Sequence, residues 1–412
     1  MNATRSGDSG DSVGIITRQG KSTKSATAFQ PTRLPPHDLI ILPLLSILTM
    51  AFLLVGSEFT ARYYFPESRG DVCRVEDATI GFKYRPNCIS RLKSAEGPWV
   101  VNQYNDCGYR TKESCGPKPP DTIRISLIGS SVAEGYLVGY DEMFATRAAK
   151  DLTRMCGRPV EVQNLGREAC YPLCAFHRVD EALALKPDLL VTIVTAQDLE
   201  SIVPSEVSNL DKAIPMRWPS TTTPGNRASL SAEVHTLMAT SRAVIVAKHF
   251  IFPLTYRHYF LADNDKMREA DFLWTPFSPT QEKRLESFDL LLGEIAKKSD
   301  AAKVPLVLVL VPTLYQASAL TLQDFPANLD PYALRERLED ISSRHGVQFV
   351  DVLDAFRRTP GSNHLFYIAN GHLNGQGQAL VSGPLVEQLT EGANPALPGC
   401  SVQRQLSASR DF

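Results

Sequence analysis

The chain has 412 residues, 43% of them hydrophobic and 21% charged, which is enough apolar material for one large core, or two small ones, outside any membrane segment. That composition excludes a chain disordered throughout. Lys and Arg total 43 against 45 Asp and Glu, a formal net charge of -2, so no global field draws the protein to nucleic acid, and none is expected as a partner.

Residues 1–36 are rich in Ser, Thr and Gly and poor in large apolar side chains. They bury too little surface to offset chain entropy and read as a disordered tail. From Leu39 to Val55 there are 17 residues without a charge, followed by Gly56 and Ser57. This predicts one membrane-spanning helix over 37–57, with residues 39–56 in contact with the bilayer. A cleaved signal would sit nearer Met1 and end in a small-x-small site, so an anchor is the better reading. Basic residues nearly balance across it, Lys21, Lys24 and Arg33 before against Arg62, Arg69 and Arg74 after. The tail nevertheless holds five basic residues, and a long following domain crosses largely regardless of its charge, which predicts a cytoplasmic N-terminus and an extracytoplasmic domain. All eight cysteines (73, 88, 107, 115, 156, 170, 174 and 400) follow the anchor, an even count that suits disulfides in an oxidising compartment. Eight unrelated buried thiols are the alternative, and if all pair, 105 connectivities remain open. Cys170 and Cys174 lack a nearby His pair to complete four zinc ligands, so no metal is expected.

Residues 58–120 hold Pro, Gly and four cysteines with little apolar periodicity and read as a stapled, loop-rich lead-in. A regular domain is expected over 121–392, with 393–412 as a C-terminal tail. Five apolar runs read as strands: Ile123 to Ile128, Val160 to Val162, Leu189 to Val194, Pro305 to Val311 and Gln348 to Val352. The second is the weakest, being short and interrupted by Glu161. Helical patterns lie between most of them, at Met143 to Met155, Ala175 to Leu185, 282–298 and Pro331 to His345. This alternation predicts a three-layer α/β domain with a doubly wound, flavodoxin-like, five-stranded parallel sheet. About 110 residues separate the third and fourth runs, giving an insertion at about 200–280 with aromatic and basic residues around Lys248 to Phe260. It is either a lid or substrate platform or an added helical layer.

In such sheets ligands bind beyond the carboxyl ends of the strands. After the first run stands Gly129-Ser130-Ser131-Val132-Ala133-Glu134-Gly135, a turn that can present a serine hydroxyl. Asn164-Leu165-Gly166 follows the second run and Gln197-Asp198 the third, offering a backbone and a side-chain N–H to a bound carbonyl oxygen. Asn370-Gly371-His372-Leu373-Asn374 follows the fifth. A serine, oxyanion donors and a histidine are thus expected along one sheet edge.

Over roughly residues 100–390 these blocks resemble the SGNH or GDSL hydrolases, and Asn102 to Arg110 (NQYNDCGYR) is similar to the Asn...Gly-x-Arg lead-in of membrane-associated members. The resemblance implies the SGNH hydrolase fold and ester hydrolysis or acyl transfer through an acyl-serine; with no Gly-x-x-x-x-Gly-Lys-Ser/Thr loop, no His-Glu-x-x-His and no Gly-x-Gly-x-x-Gly after a strand, no cofactor is expected. It implies Ser131 as nucleophile, His372 as base, and Ser131 N–H, Gly166 N–H and the Gln197 amide as oxyanion hole. Membrane-anchored relatives further imply an acylated envelope or exported polysaccharide as substrate, in a bacterial inner membrane facing the periplasm. The chain departs from the family pattern within the motifs. Ser130 stands where Asp is usual, Gln197 where Asn is usual, and Ala369 and Asn370 where the acid preceding the histidine is usual. Asn370 is the candidate to orient the imidazole, as asparagine does in Cys-His-Asn sites. Asp198, Asp351 and Asp354 are substitutes by strand-end position. Without an acid the alternative is a catalytically impaired carbohydrate-binding or scaffold protein.

Overall fold

The computed structural model describes residues 35, 37–68, 70–208, 210, 240–261, 272–322, 326–391 and 395–400, with backbone alone at 252–261, 362 and 363. Nearly all of the expected disordered tail, and insertion residues 211–239 and 262–271, lie outside the described residues. The chain divides after Val55 into two units.

The first unit ends within helix Asp38–Tyr64, whose most apolar 18-residue stretch has a mean hydropathy of 2.6. Among the described residues it is the one helix long and apolar enough to cross a membrane. At about 1.5 Å per residue it is roughly 40 Å long, against about 30 Å of hydrocarbon. Leu39, Ile40, Leu45, Phe52 and Val55 are all exposed, so apolar groups face outward around the helix. The hydroxyls of Ser46 and Thr49 donate back to the carbonyls of Leu42 and Leu45 at 2.8 Å, which satisfies the polar groups of the apolar stretch internally. The helix outruns the expected span, continuing to Tyr64 because Gly56 and Ser57 do not stop it and Glu58 pairs with Arg62 one turn on.

In the second unit the lead-in is more regular than expected. Strands β1 (Arg74–Asp77) and β2 (Gly81–Tyr84) form one antiparallel hairpin, and β3 (Ile89–Leu92) and β4 (Val100–Gln103) another. Cys73–Cys88 staples the hairpins together, and Tyr84 stacks on Tyr104 at 4.2 Å between ring centres. Cys107–Cys115 closes the loop that leads into the main sheet.

That sheet has five parallel strands in the order β6-β5-β7-β8-β9: β5 (Ile123–Ile128), β6 (Val160–Asn164), β7 (Leu189–Val194), β8 (Leu306–Leu310) and β9 (Gln348–Asp351). This is the doubly wound order expected from the sequence. Every residue of β5, β6, β7 and β8 is buried, which requires helices on both faces. Phe144–Cys156 packs on Gly375–Thr390, and Pro279–Ala301 packs on Pro172–His177 and Val179–Ala184. The last two helices replace the single expected helix at 175–185. β6 runs to Asn164, further than expected, and its interrupting Glu161 is buried against the Arg124 guanidinium, its neighbour on β5.

All eight cysteines are paired, the others as Cys170–Cys174 and Cys156–Cys400. The second joins the end of helix Phe144–Cys156 to the final 3-10 turn, Pro398–Cys400, so the described start of the expected C-terminal tail is fastened to the core.

Candidate functional site

Beyond β5 the backbone turns sharply through Gly129, at φ 146°, where an added Cβ would meet Ile193 O and Ala133 Cβ at 2.9 Å. The turn delivers Ser131 as the first residue of the short helix Ser131–Glu134. Arg110 clamps the other side of this segment. Its buried guanidinium donates to the carbonyl oxygens of Glu134, Gly135 and Val138. The arginine of the lead-in motif thus shapes the serine turn without entering the cleft.

Beyond β9 and helix Leu353–Arg358, the loop carrying His372 is closed by an isolated bridge between Phe366 and Leu373 and by Asn374, which caps helix Gly375–Thr390 through Gln376 N–H and Gly377 N–H. His372 Nε2 lies 2.8 Å from Ser131 Oγ, and His372 Nδ1 lies 2.5 Å from Asn370 Oδ1. With the amide oxygen accepting at Nδ1, the ring proton sits there and Nε2 is left to accept from the serine hydroxyl. The ring of Tyr136 packs against the imidazole at 5.0 Å between centres. Burial pushes the His372 imidazole down to about 4, with the hydrogen bond at Asn370 acting in the opposite direction.

Ser131, Gln197 and His372 line one cleft of about 160 Å³, together with Glu168, Tyr171 and Phe366. Gln197 is exposed, and its side-chain amide makes no hydrogen bond among the described residues. Gly166 is placed differently. It packs against helix Ser131–Glu134 so closely that a Cβ would meet Glu134 N at 2.4 Å, and its N–H donates to Asn164 Oδ1 at 2.9 Å. Gly166 is not among the residues that line the cleft.

The three aspartates considered as substitute acids are engaged elsewhere. Asp198 is buried, accepts from Thr195 N–H and Thr195 Oγ1 at 2.8 and 2.9 Å, and is held by the Ser130 hydroxyl. Burial pushes its carboxyl up to about 6. Asp351 accepts from Leu353 N–H and pairs with Arg335, and Asp354 meets Tyr332. The only described side chain bonded to His372 Nδ1 is Asn370.

Tyr136 and Glu168 carried no sequence signal. Glu168 follows Asn164-Leu165-Gly166 closely and pairs with Arg74, so the lead-in supplies the countercharge to a carboxylate on the cleft wall. Burial raises that carboxyl, against the pull of Arg74.

No family model matches the chain, and no curated protein matches it. Among solved structures it is similar to an acetyl-xylooligosaccharide esterase of Geobacillus stearmophilus, at 13% identity and TM-score 0.37, covering 66% of this chain and 95% of that one. A lipase/acylhydrolase from Enterococcus faecalis gives 14% identity and TM-score 0.34 over 65% of this chain and 95% of that one. AlinE4, an SGNH-hydrolase family esterase, gives 13% and 0.31 over 71% and 96%. Likeness at this level carries no argument about activity, which rests on the chain's own geometry.

Proposed function

We propose that this chain is a membrane-tethered serine esterase or O-acyltransferase, with Ser131 as nucleophile and His372 as general base. The observation that carries this reading is the Ser131 Oγ to His372 Nε2 distance of 2.8 Å, with the far ring nitrogen bonded to Asn370. His372 takes the hydroxyl proton as Ser131 attacks an ester carbonyl, returns it to the departing alcohol, and then activates water or a sugar hydroxyl against the acyl-serine. Ser131 N–H and the free Gln197 amide donate to the oxyanion. Gly166, expected as a third donor, is assigned a different part: it seats the serine helix, its own N–H being satisfied by Asn164. The cleft, at about 160 Å³, is well under the roughly 300 Å³ of a usual small-molecule pocket, which favours a short acyl group.

The apolar helix Asp38–Tyr64 and four disulfides support a domain held in an oxidising compartment, with the N-terminus cytoplasmic. An acylated envelope or exported polysaccharide in the bacterial periplasm is the substrate class this placement favours. The test is intact-mass labelling with a fluorophosphonate of wild-type protein and of Ser131→Ala and His372→Ala. Labelling of the wild type alone is expected. A folded wild type that stays unlabelled would sink the proposal and leave the cleft as a binding site only.

A further inference from the structure

The connection between β3 and β4 reaches the His372 loop, although the lead-in has no catalytic motif. Gly97 lies against the ring of Tyr367, at 3.1 Å from where its Cβ would stand, and beside it Glu96 points into the same loop. The Glu96 side chain is only 4% exposed. Its carboxylate accepts from Ala369 N–H at 2.8 and 2.9 Å and from Asn370 N–H at 2.9 Å. A third partner comes from the insertion, where His249 Nδ1 on helix Arg242–Leu261 lies 2.7 Å from Glu96 Oε1. These two peptide N–H groups belong to the positions where an acid is usual in the motif and where this chain has Ala369 and Asn370.

We infer that Glu96 is a positioning residue for the Ser131–His372 reaction, fixing the Ala369–Asn370 backbone so that the Asn370 amide oxygen meets His372 Nδ1. The inference rests on the reading of Ser131 and His372 given above. A free asparagine side chain has several rotamers and adds no charge to hold the imidazole. Charge-assisted hydrogen bonds from Ala369 N–H and Asn370 N–H fix the backbone from which that side chain reaches the ring. The insertion helix, through His249, steadies the carboxylate from outside. Glu96 touches neither Ser131 nor His372, so its effect travels through Asn370.

The experiment uses the full-length protein in detergent and follows hydrolysis of p-nitrophenyl acetate. The variants are Glu96→Ala, Glu96→Gln, Asn370→Ala and the double change Glu96→Ala with Asn370→Ala. Misplacing a reacting group by about 1 Å costs roughly 100-fold. Glu96→Ala is therefore expected to lower kcat by about 10- to 100-fold with KM within about twofold. Glu96→Gln keeps the shape but turns one accepting oxygen into a donor, and is expected to lose most of the same kcat; a mere packing role would spare it. In the Asn370→Ala background, Glu96→Ala should cost less than about threefold further. Wild-type kcat in Glu96→Gln, or losses that multiply in full in the double variant, would overturn the inference. Equal turnover by wild type and Ser131→Ala would instead overturn the reading on which it rests.

Discussion

In the proposed site, Asn370 stands where an orienting acid would be, bonded to His372 Nδ1. In a serine protease triad the corresponding aspartate orients the imidazole and stabilises its protonated form, and replacing it with asparagine costs about 10⁴ in turnover. This chain keeps the geometry, at 2.5 Å between Asn370 Oδ1 and His372 Nδ1, without the charge. Burial then acts on the imidazole unopposed by a carboxylate and holds it down to about 4. The base must be neutral to accept the serine proton, and it is neutral above its pKa. The acid limb of kcat/KM is thus expected near pH 4, well below the ordinary histidine value of about 6.5. Asn370→Asp should move that limb upward and raise kcat by roughly tenfold or more, if the added carboxylate takes up the role it has in a triad. A pH–rate profile of both proteins checks this, and an unmoved limb in Asn370→Asp counts against it. The sequence shows the asparagine and the lack of an acid. It does not show that Asp198 is taken up by Thr195 and Ser130, Asp351 by Leu353 N–H and Arg335, and Asp354 by Tyr332, because those bonds depend on side-chain geometry at the strand ends that no residue pattern specifies.

At the scale of elements, the long apolar strands were legible and the short ones were not. β5 and β7 match their expected ends, since six successive buried residues in each leave no ambiguity. The hairpin strands are four residues each, and β2, β3 and β4 do alternate buried and exposed positions, but four residues give two periods at most. Glu161 made β6 look broken because its partner Arg124 stands on a neighbouring strand, a pairing only the sheet register reveals. Gly166 shows the same limit. As a glycine after a strand it reads as an oxyanion donor, and only the tertiary structure shows its N–H on Asn164 Oδ1 and its close approach to the serine helix. Gly166→Ala would place a Cβ 2.4 Å from Glu134 N and 2.7 Å from Ala133 C, both backbone atoms that cannot rotate away. It is expected to cost about 1–3 kcal/mol of stability and to slow fluorophosphonate labelling by displacing Ser131. Thermal unfolding and labelling rate measured on the same preparation test both parts.

Across the whole molecule, buried charge ties the lead-in to the sheet domain. Glu134, on the serine helix, is fully buried; Tyr84 of β2 donates to its Oε1 at 2.8 Å, and its Oε2 has no hydrogen-bond partner among the described residues. Burial pushes this carboxyl up to about 7, with Arg110 pulling the other way. A folded-state value above the unfolded one means the native protein binds the proton more tightly. The stability from this group is full below about 4.5 and is lost as pH rises through about 7. The span corresponds to roughly 3 kcal/mol. Glu134→Gln mimics the protonated form and removes that dependence. The difference in Tm, variant minus wild type, should therefore grow from pH 5 to pH 8; a constant difference would contradict the assignment. Comparing the two proteins at each pH cancels the other titrating groups, Asp198 among them.

Along the same chain, the sequence by itself determined what depends on neighbours in sequence. Those features are the apolar helix, the order of strands and helices, the even set of cysteines, and the placement of Ser131, Gln197 and His372 after the first, third and fifth strands of the sheet. Hydrophobic period and strand-end position are local properties, and they are written in short windows of residues. Only the tertiary structure decided which cysteines pair, which aspartates are already engaged, where the Gly166 amide points, and that Glu96 of the lead-in holds the loop of His372. Those outcomes depend on a few ångströms between segments up to 274 residues apart, as between Glu96 and Asn370, and no local pattern encodes such a distance.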